Sequence, residues 1–260
     1  MAPTSEKQFN GNIPEGSYIT IDRNDDMVVG VHWFNKSNER VDLDLHMMNK
    51  NEQYGWNTAY RSTNGENFYF SGDVTDAPKP NGAVECFYIG KNCENKAFLL
   101  TLNDYTCNSK PVDFDFVIAK CNESEIDKNY IINPNNILVQ IKNKMQENQI
   151  TLGLVKIINN KIEFYFNNFN LGNYIVTKRN DIIKNVFEYL DNYSKIQLTL
   201  NELLEDSGAI LLDNPYTEKL VEAGVDGFGN TLYKKEKIAP DIDLSLENID
   251  KTTIINLFNK

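Results

Sequence analysis

Between residues 17 and 119 the chain repeats one pattern: a short alternating or apolar run, then a turn-rich break. The runs cover residues 18–21, 27–34, 41–48, 56–60, 67–70, 84–89, 97–102 and 114–118. Arg23-Asn24-Asp25-Asp26, Asn35-Lys36-Ser37-Asn38, Ser62-Thr63-Asn64-Gly65 and Lys91-Asn92 separate several of them. Runs this short suit strands, which turn a side chain to alternate faces at each residue. Several short strands at this spacing predict a β-sandwich or barrel. Aromatic residues at 11%, with 13 Tyr and 14 Phe, agree, because they fill pleated, half-buried surfaces.

Beyond a polar stretch over 122–135, Asn133-Pro134-Asn135-Asn136 breaks the chain. Residues 137–141, 151–158 and 161–165 then read as strands. Ile158-Asn159-Asn160-Lys161 reads as a hairpin turn, since Asn tolerates positive φ. The period changes over 181–193, where Ile182, Ile183, Val186, Phe187 and Leu190 line one helix face. A second, shorter helix is predicted from Thr199, whose hydroxyl sits three residues before Glu202 in a capping-box arrangement. Ala209 to Leu212 reads as a buried strand. The resulting division is an N-terminal arm over 1–14, a β-sandwich over 15–125, an α+β second half over 126–213 packed on the sandwich, and a C-terminal tail over 214–260. In that tail Gly224, Gly227 and Gly229 read as linker, and 244–258 as a short docking helix.

Charge narrows the function classes. The 260-residue chain carries a formal net charge of -11 and no basic run, so nucleic acid is not an expected partner. No apolar run reaches the length of a membrane span, and the first residues lack the basic-then-apolar pattern of a signal peptide. The expected place is the cytoplasm, or a virion assembled there. The four cysteines, at 86, 93, 107 and 121, form no C-x-x-C pair and are expected to be reduced core residues. Asn at about one residue in seven, with many Ile and Lys, has the stamp of an AT-rich genome.

Two acidic segments carry the candidate chemistry. In Val41-Asp42-Leu43-Asp44-Leu45-His46, strand alternation places Asp42, Asp44 and His46 on one face. Carboxylates so close repel unless water screens them or a cation lies between. The second segment is the long loop from Ser71 to Glu85, dense in short oxygen side chains, with Asp73, Asp76, Asn81 and Glu85. Calcium takes six to eight oxygen ligands from such groups. The same residues also suit a plainer reading: Asp-x-Asp on a solvated strand face, and Ser-Gly-Asp and Pro-Asn-Gly as ordinary turns.

Asp42-Leu43-Asp44-Leu45, then Gly72-Asp73, then Glu85 resembles the TerD family of tellurite-resistance and stress proteins, and more closely a divergent branch of it. Trp56, Ser71-Gly72-Asp73, Ala77-Pro78 and Gly82-Ala83-Val84-Glu85 match that branch. So do Leu152-Gly153-Leu154, the stretch from Leu198 to Leu204, and Gly208 to Asp213. The resemblance spans residues 15–215. It implies a TerD-like β-sandwich that binds Ca2+ through Asp42, Asp44, Asp73, Asp76 and Glu85. Val74 stands where the family has Asn, Tyr60-Arg61-Ser62 replaces an Asn-Asn pair, and Ala83-Val84 replaces an acidic pair. One calcium site, rather than two, is therefore implied.

The functional expectation is a non-enzymatic calcium-binding scaffold or stress-response adaptor. The alternative is an assembly protein of an AT-rich phage or bacterium, self-associating or meeting a protein partner through its termini. His46 beside Asp42 and Asp44 also permits a hydrolase reading, but no G-x-S-x-G elbow accompanies it. Trp33 and Trp56 read as core anchors rather than ligand platforms.

Overall fold

The computed structural model describes residues 9–10, 13–14, 16–37, 39–62, 67–106, 111–122, 126–167, 180–196, 202, 204–205 and 217–238. The chain divides into two compact units, Thr4–Gln197 and Leu198–Lys260 with Met1–Pro3. The larger unit is built on antiparallel strands: β1 (Phe9–Asn10), β2 (Ile13–Pro14), β3 (Tyr18–Asp22), β4 (Asp26–Trp33), β5 (Leu43–Met48), β6 (Gln53–Tyr54), β7 (Phe68–Phe70), β8 (Ala83–Ile89), β9 (Lys96–Asp104), β10 (Val112–Cys121), β11 (Ile137–Met145), β12 (Gln149–Ile158) and β13 (Lys161–Phe166). One helix, α1 (Asn180–Ile196), follows. The predominance of β is as the short alternating runs predict.

Two sheets dominate: a five-stranded one ordered β11-β10-β4-β8-β7, and a six-stranded one ordered β3-β13-β12-β9-β5-β6. Aromatic side chains join them. Phe68 of β7 stacks on Phe98 of β9 with ring centroids 5.1 Å apart, and Phe116 of β10 meets Phe164 of β13 at 4.4 Å. Trp33 is buried, and its indole N–H donates to the Val41 carbonyl at 3.0 Å. A second apolar cluster, with Val28, Cys86, Tyr88, Val117 and Cys121, packs with Ile126, Tyr130 and Ile132. Leu190 of α1 packs on Met48 and Leu99 of the six-stranded sheet, with Val186 and Phe187 beside it, so these three residues of the apolar face read from the sequence dock. Asn159 and Asn160 adopt φ of 44° and 64° in the β12–β13 turn, where two left-handed residues match strand twist.

Three expectations change. Residues 56–60 are not a strand: the chain turns after β6, with Gly55 donating to the Ala59 carbonyl at 3.3 Å. Gly55 lies so close against the His46 ring that a Cβ there would clash, and this close approach folds the segment back. Residues after 125 are not a layer laid upon a finished sandwich, because β11 pairs with β10 in one sheet while β12 and β13 lie inside the other. In the smaller unit, Thr217–Val225 and Thr231–Ile238 pair as a hairpin, β14 and β15. The glycine-rich segment read as a linker is its turn: one Asp226 oxygen accepts from the Phe228 and Asn230 N–H groups, both at 2.8 Å. A carboxylate at the start of the turn supplies the acceptors that a free linker would take from water.

The N-terminal arm lies mostly outside the described residues, as do Cys107, Ala209 to Leu212 and the docking helix predicted over 244–258. Of the helix predicted from Thr199, Glu202, Leu204 and Glu205 are described and helical. Cys86, Cys93 and Cys121 are buried, as expected of small core residues.

Candidate metal centre

Asp42 and Asp44 alternate through the entry into β5, where both are buried at 3% and 4% exposure. The loop between β7 and β8 brings Asp73 to them: one oxygen from each of the three carboxylates lies within 4.8 Å of the others. Gly72, at φ 121°, provides the left-handed backbone that starts this loop, and Gly82, at φ 70°, closes it where a Cβ would run into the Trp33 carbonyl. The loop from Ser71 to Glu85 thus folds onto the Asp-x-Asp strand.

The electrostatics of the cluster are adverse on their own. Burial, reinforced by Asp42, Asp73 and Asp104, pushes the Asp44 carboxyl from its ordinary 3.8 to about 7, against one hydrogen bond from Asn103. Burial also raises Asp42, where the Arg40 guanidinium opposes the shift with a 2.8 Å contact to Oδ2. The other Asp42 oxygen, Oδ1, is buried and has no hydrogen-bond partner, and the same holds for Oδ1 of Asp73. Buried carboxylate oxygens are normally satisfied, because desolvating a charge without a partner costs several kcal/mol. Two aspartates that carry such atoms, grouped with Asp44, fit a bound cation. An all-oxygen, carboxylate-rich donor set suits a hard ion such as Ca2+ or Mg2+ rather than a thiophilic one.

The other two expected ligands stand apart from this group. Glu85 is fully buried, but both its oxygens are engaged: Oε2 accepts from Leu45 N–H at 2.8 Å and Oε1 from Val74 N–H at 2.9 Å. Burial raises its carboxyl well above the ordinary range, while those two donors favour the charged form. Asp76 is exposed, and its Oδ1 accepts from the Asn35 amide at 2.7 Å. His46 is buried beside the site, yet its Nε2 lies 3.1 Å from Asn57 Oδ1, and burial holds its pKa below the usual value. Val74 and Ala83, whose side chains carry no oxygen, are buried in the core.

Asn35, Asn103 and Asp104 were not singled out in the sequence. Asn103 and Asp104 reach the site because β9 pairs with β5 in the register Asp44↔Asn103 and Leu43↔Asp104. The only hint in the sequence is that the apolar run of β9 ends in Asn-Asp, and its partner strand cannot be read from that. No protein-family model matches the chain, and no curated protein matches it.

Proposed function

We propose that the chain is a TerD-type, calcium-binding β-sandwich protein that works without catalysis, as a scaffold or stress-linked adaptor. Asp42, Asp44 and Asp73 hold one Ca2+ in this reading. The observation that carries it is the pair of buried, unpartnered oxygens on Asp42 and Asp73, facing a third carboxylate that burial has made hard to ionise. A divalent cation relieves all three conditions at once. The two-sheet arrangement with a shared aromatic core supports the sandwich part of the reading.

A ligand that binds only the native state raises stability by about 2.7 kcal/mol at one hundred times its Kd. Calcium at millimolar concentration therefore raises the melting temperature of the full chain, and Asp73→Asn abolishes that rise. An unchanged melting temperature in wild type at 10 mM calcium (roughly ten times the Kd at the weak end of protein calcium sites) sinks the proposal.

An assembly role is the second reading. The β14–β15 hairpin favours it, with Phe228 at 95% exposure and Leu220, Val225 and Tyr233 also exposed. Two-stranded hairpins are marginal alone in water, so an apolar, exposed one gains from a protein surface. Removal of residues 214–260 then dissolves a multimer seen by sedimentation; a full-length chain that sediments as a monomer counts against this role.

A further inference from the structure

Glu85 and Asn35 each bind two backbone N–H groups, and in each case one donor belongs to the strand entry carrying Asp42 and Asp44 and the other to the loop carrying Asp73. Glu85 takes Leu45 N–H and Val74 N–H. Asn35 Oδ1 takes Val41 N–H at 3.0 Å and Ala77 N–H at 3.1 Å. The donors bracket the aspartates: Val41 and Leu45 lie on either side of Asp42 and Asp44, and Val74 and Ala77 follow Asp73. The Asn35 backbone adds a bond to the Ala77 carbonyl at 2.7 Å.

From this we propose that Glu85 and Asn35 are positioning residues that set the affinity of the cation site without touching the ion. The inference rests on the three-aspartate reading of the site. The need for such clamps follows from the topology. β6 pairs with β5 only at Met47 and Met48, so along Val41 to Leu45 the open edge of β5 has no strand partner among the described residues. The loop over 71–82 runs there without forming a strand, so no ladder holds it to β5. Glu85 projects from β8 of the five-stranded sheet and reaches β5 of the other sheet, supplying the acceptor that a neighbouring strand would give. Asn35 does the same nearer to Asp42. With both in place, three like charges are held together before any cation arrives. That is the preorganisation a tight oxygen site requires, and it would be lost if the loop could retreat from its own repulsion.

Supporting groups that orient metal ligands change metal affinity by about 10–100-fold when removed. The test is calorimetric titration of the full chain with calcium chloride, with amide hydrogen exchange on the same samples, in wild type, Asn35→Ala, Glu85→Gln and Asp73→Asn. Asn35→Ala leaves the charge unchanged, so a weaker Kd in that variant cannot come from lost long-range attraction. The expected result is a Kd about 10–100-fold weaker in both clamp variants. Exchange should be faster at Val41 and Ala77 in Asn35→Ala, and at Leu45 or Val74 in Glu85→Gln. If Glu85→Gln does not fold, Asn35→Ala decides alone. A wild-type Kd retained within twofold in Asn35→Ala, while Asp73→Asn loses binding, overturns the clamps and leaves the site reading intact. A wild type that takes up no calcium overturns both.

Discussion

Replacing Asp44 by Asn should stabilise the calcium-free protein and abolish its response to calcium. Asp44 is 4% exposed, and burial among three other carboxylates raises its pKa from 3.8 to about 7. A group with a raised folded-state pKa holds its proton more tightly folded than unfolded. Between these two values the native state therefore binds more protons, and stability falls as pH rises. Above pH 7 the full penalty is present; it shrinks as pH falls and vanishes below the unfolded value. At ~1.4 kcal/mol per pH unit, moving the calcium-free wild type from pH 8 to pH 5 recovers roughly 2–3 kcal/mol from this group. The Asn variant lacks this contribution to the slope. In EDTA at pH 8 it should melt higher than wild type, by roughly 2–4 °C for each kcal/mol of penalty removed. The amide can still accept the bond that Asn103 donates to Asp44 Oδ2 at 3.3 Å, so little packing is lost.

Calcium inverts the comparison. On the proposed reading the ion binds the ionised cluster, so protons compete with it and its apparent affinity should fall as pH drops below 7. Wild type with calcium should overtake the Asn variant at pH 8 and lose that advantage near pH 5. Thermal melts of both proteins at pH 5 and pH 8, with EDTA and with calcium, give the four comparisons. An Asn variant that melts below wild type in EDTA at pH 8, with a wild type whose stability is flat over this range, refutes the account of Asp44 as a buried charge under strain.

Other outcomes follow from single contacts. Arg40→Gln removes a cation whose Nη2 holds Asp42 Oδ2 at 2.8 Å, so calcium should bind several-fold tighter while the calcium-free form loses stability, both readable from melts across a calcium series. Asp76→Asn should leave the calcium affinity within a few-fold of wild type by calorimetry, since Asp76 is exposed and bonded to Asn35 rather than grouped with the three aspartates. Leu190→Ala removes the side chain that seats α1 on Met48 and Leu99 and should cost about 2–5 kcal/mol in urea unfolding. Asn160→Gly should be neutral or mildly stabilising and Asn160→Ala destabilising by about 1 kcal/mol, because φ is 64° at that position.

The strands were legible because alternation needs no partner to be seen. β3, β4, β8, β12 and β13 begin and end within a residue or two of their sequence patterns. The turn at Asn159-Asn160 was legible for the same reason, since its chemistry is local. Residues 56–60 were misread because Trp, Thr and Tyr favour strands, while the close seat of Gly55 on His46 is tertiary. The site divides along the same line. Asp42 and Asp44 share a face by simple alternation, and Asp73 announces its loop through Gly72. What the sequence could not separate was a carboxylate left with an unpartnered buried oxygen from one bonded to other groups of the protein. Asp76 and Glu85 have the same chemistry as the other three, and only their hydrogen-bond partners distinguish them.

That distinction bears on why the cluster exists at all. A group of mutually repelling, buried aspartates lowers the stability of the fold that contains it, and a neutral replacement would be the cheaper way to fill the space. Here the surrounding residues relax the strain only in part: Arg40 pairs with Asp42 and Asn103 donates to Asp44. Glu85 brings a further buried carboxylate to the same region, and Asn35 ties down both segments that could otherwise move apart. A purely structural account must treat these as separate costs with no return. A cation account joins them, because the tighter the calcium-free cluster is held, the more of the ion's attraction appears as affinity rather than as loop ordering. The same reasoning predicts a difference between the two states: variants that loosen the clamps should lose more stability with calcium present than in EDTA, because they forfeit affinity as well as hydrogen bonds. Clamp variants that lose stability equally with and without calcium would place Glu85 and Asn35 in the fold alone.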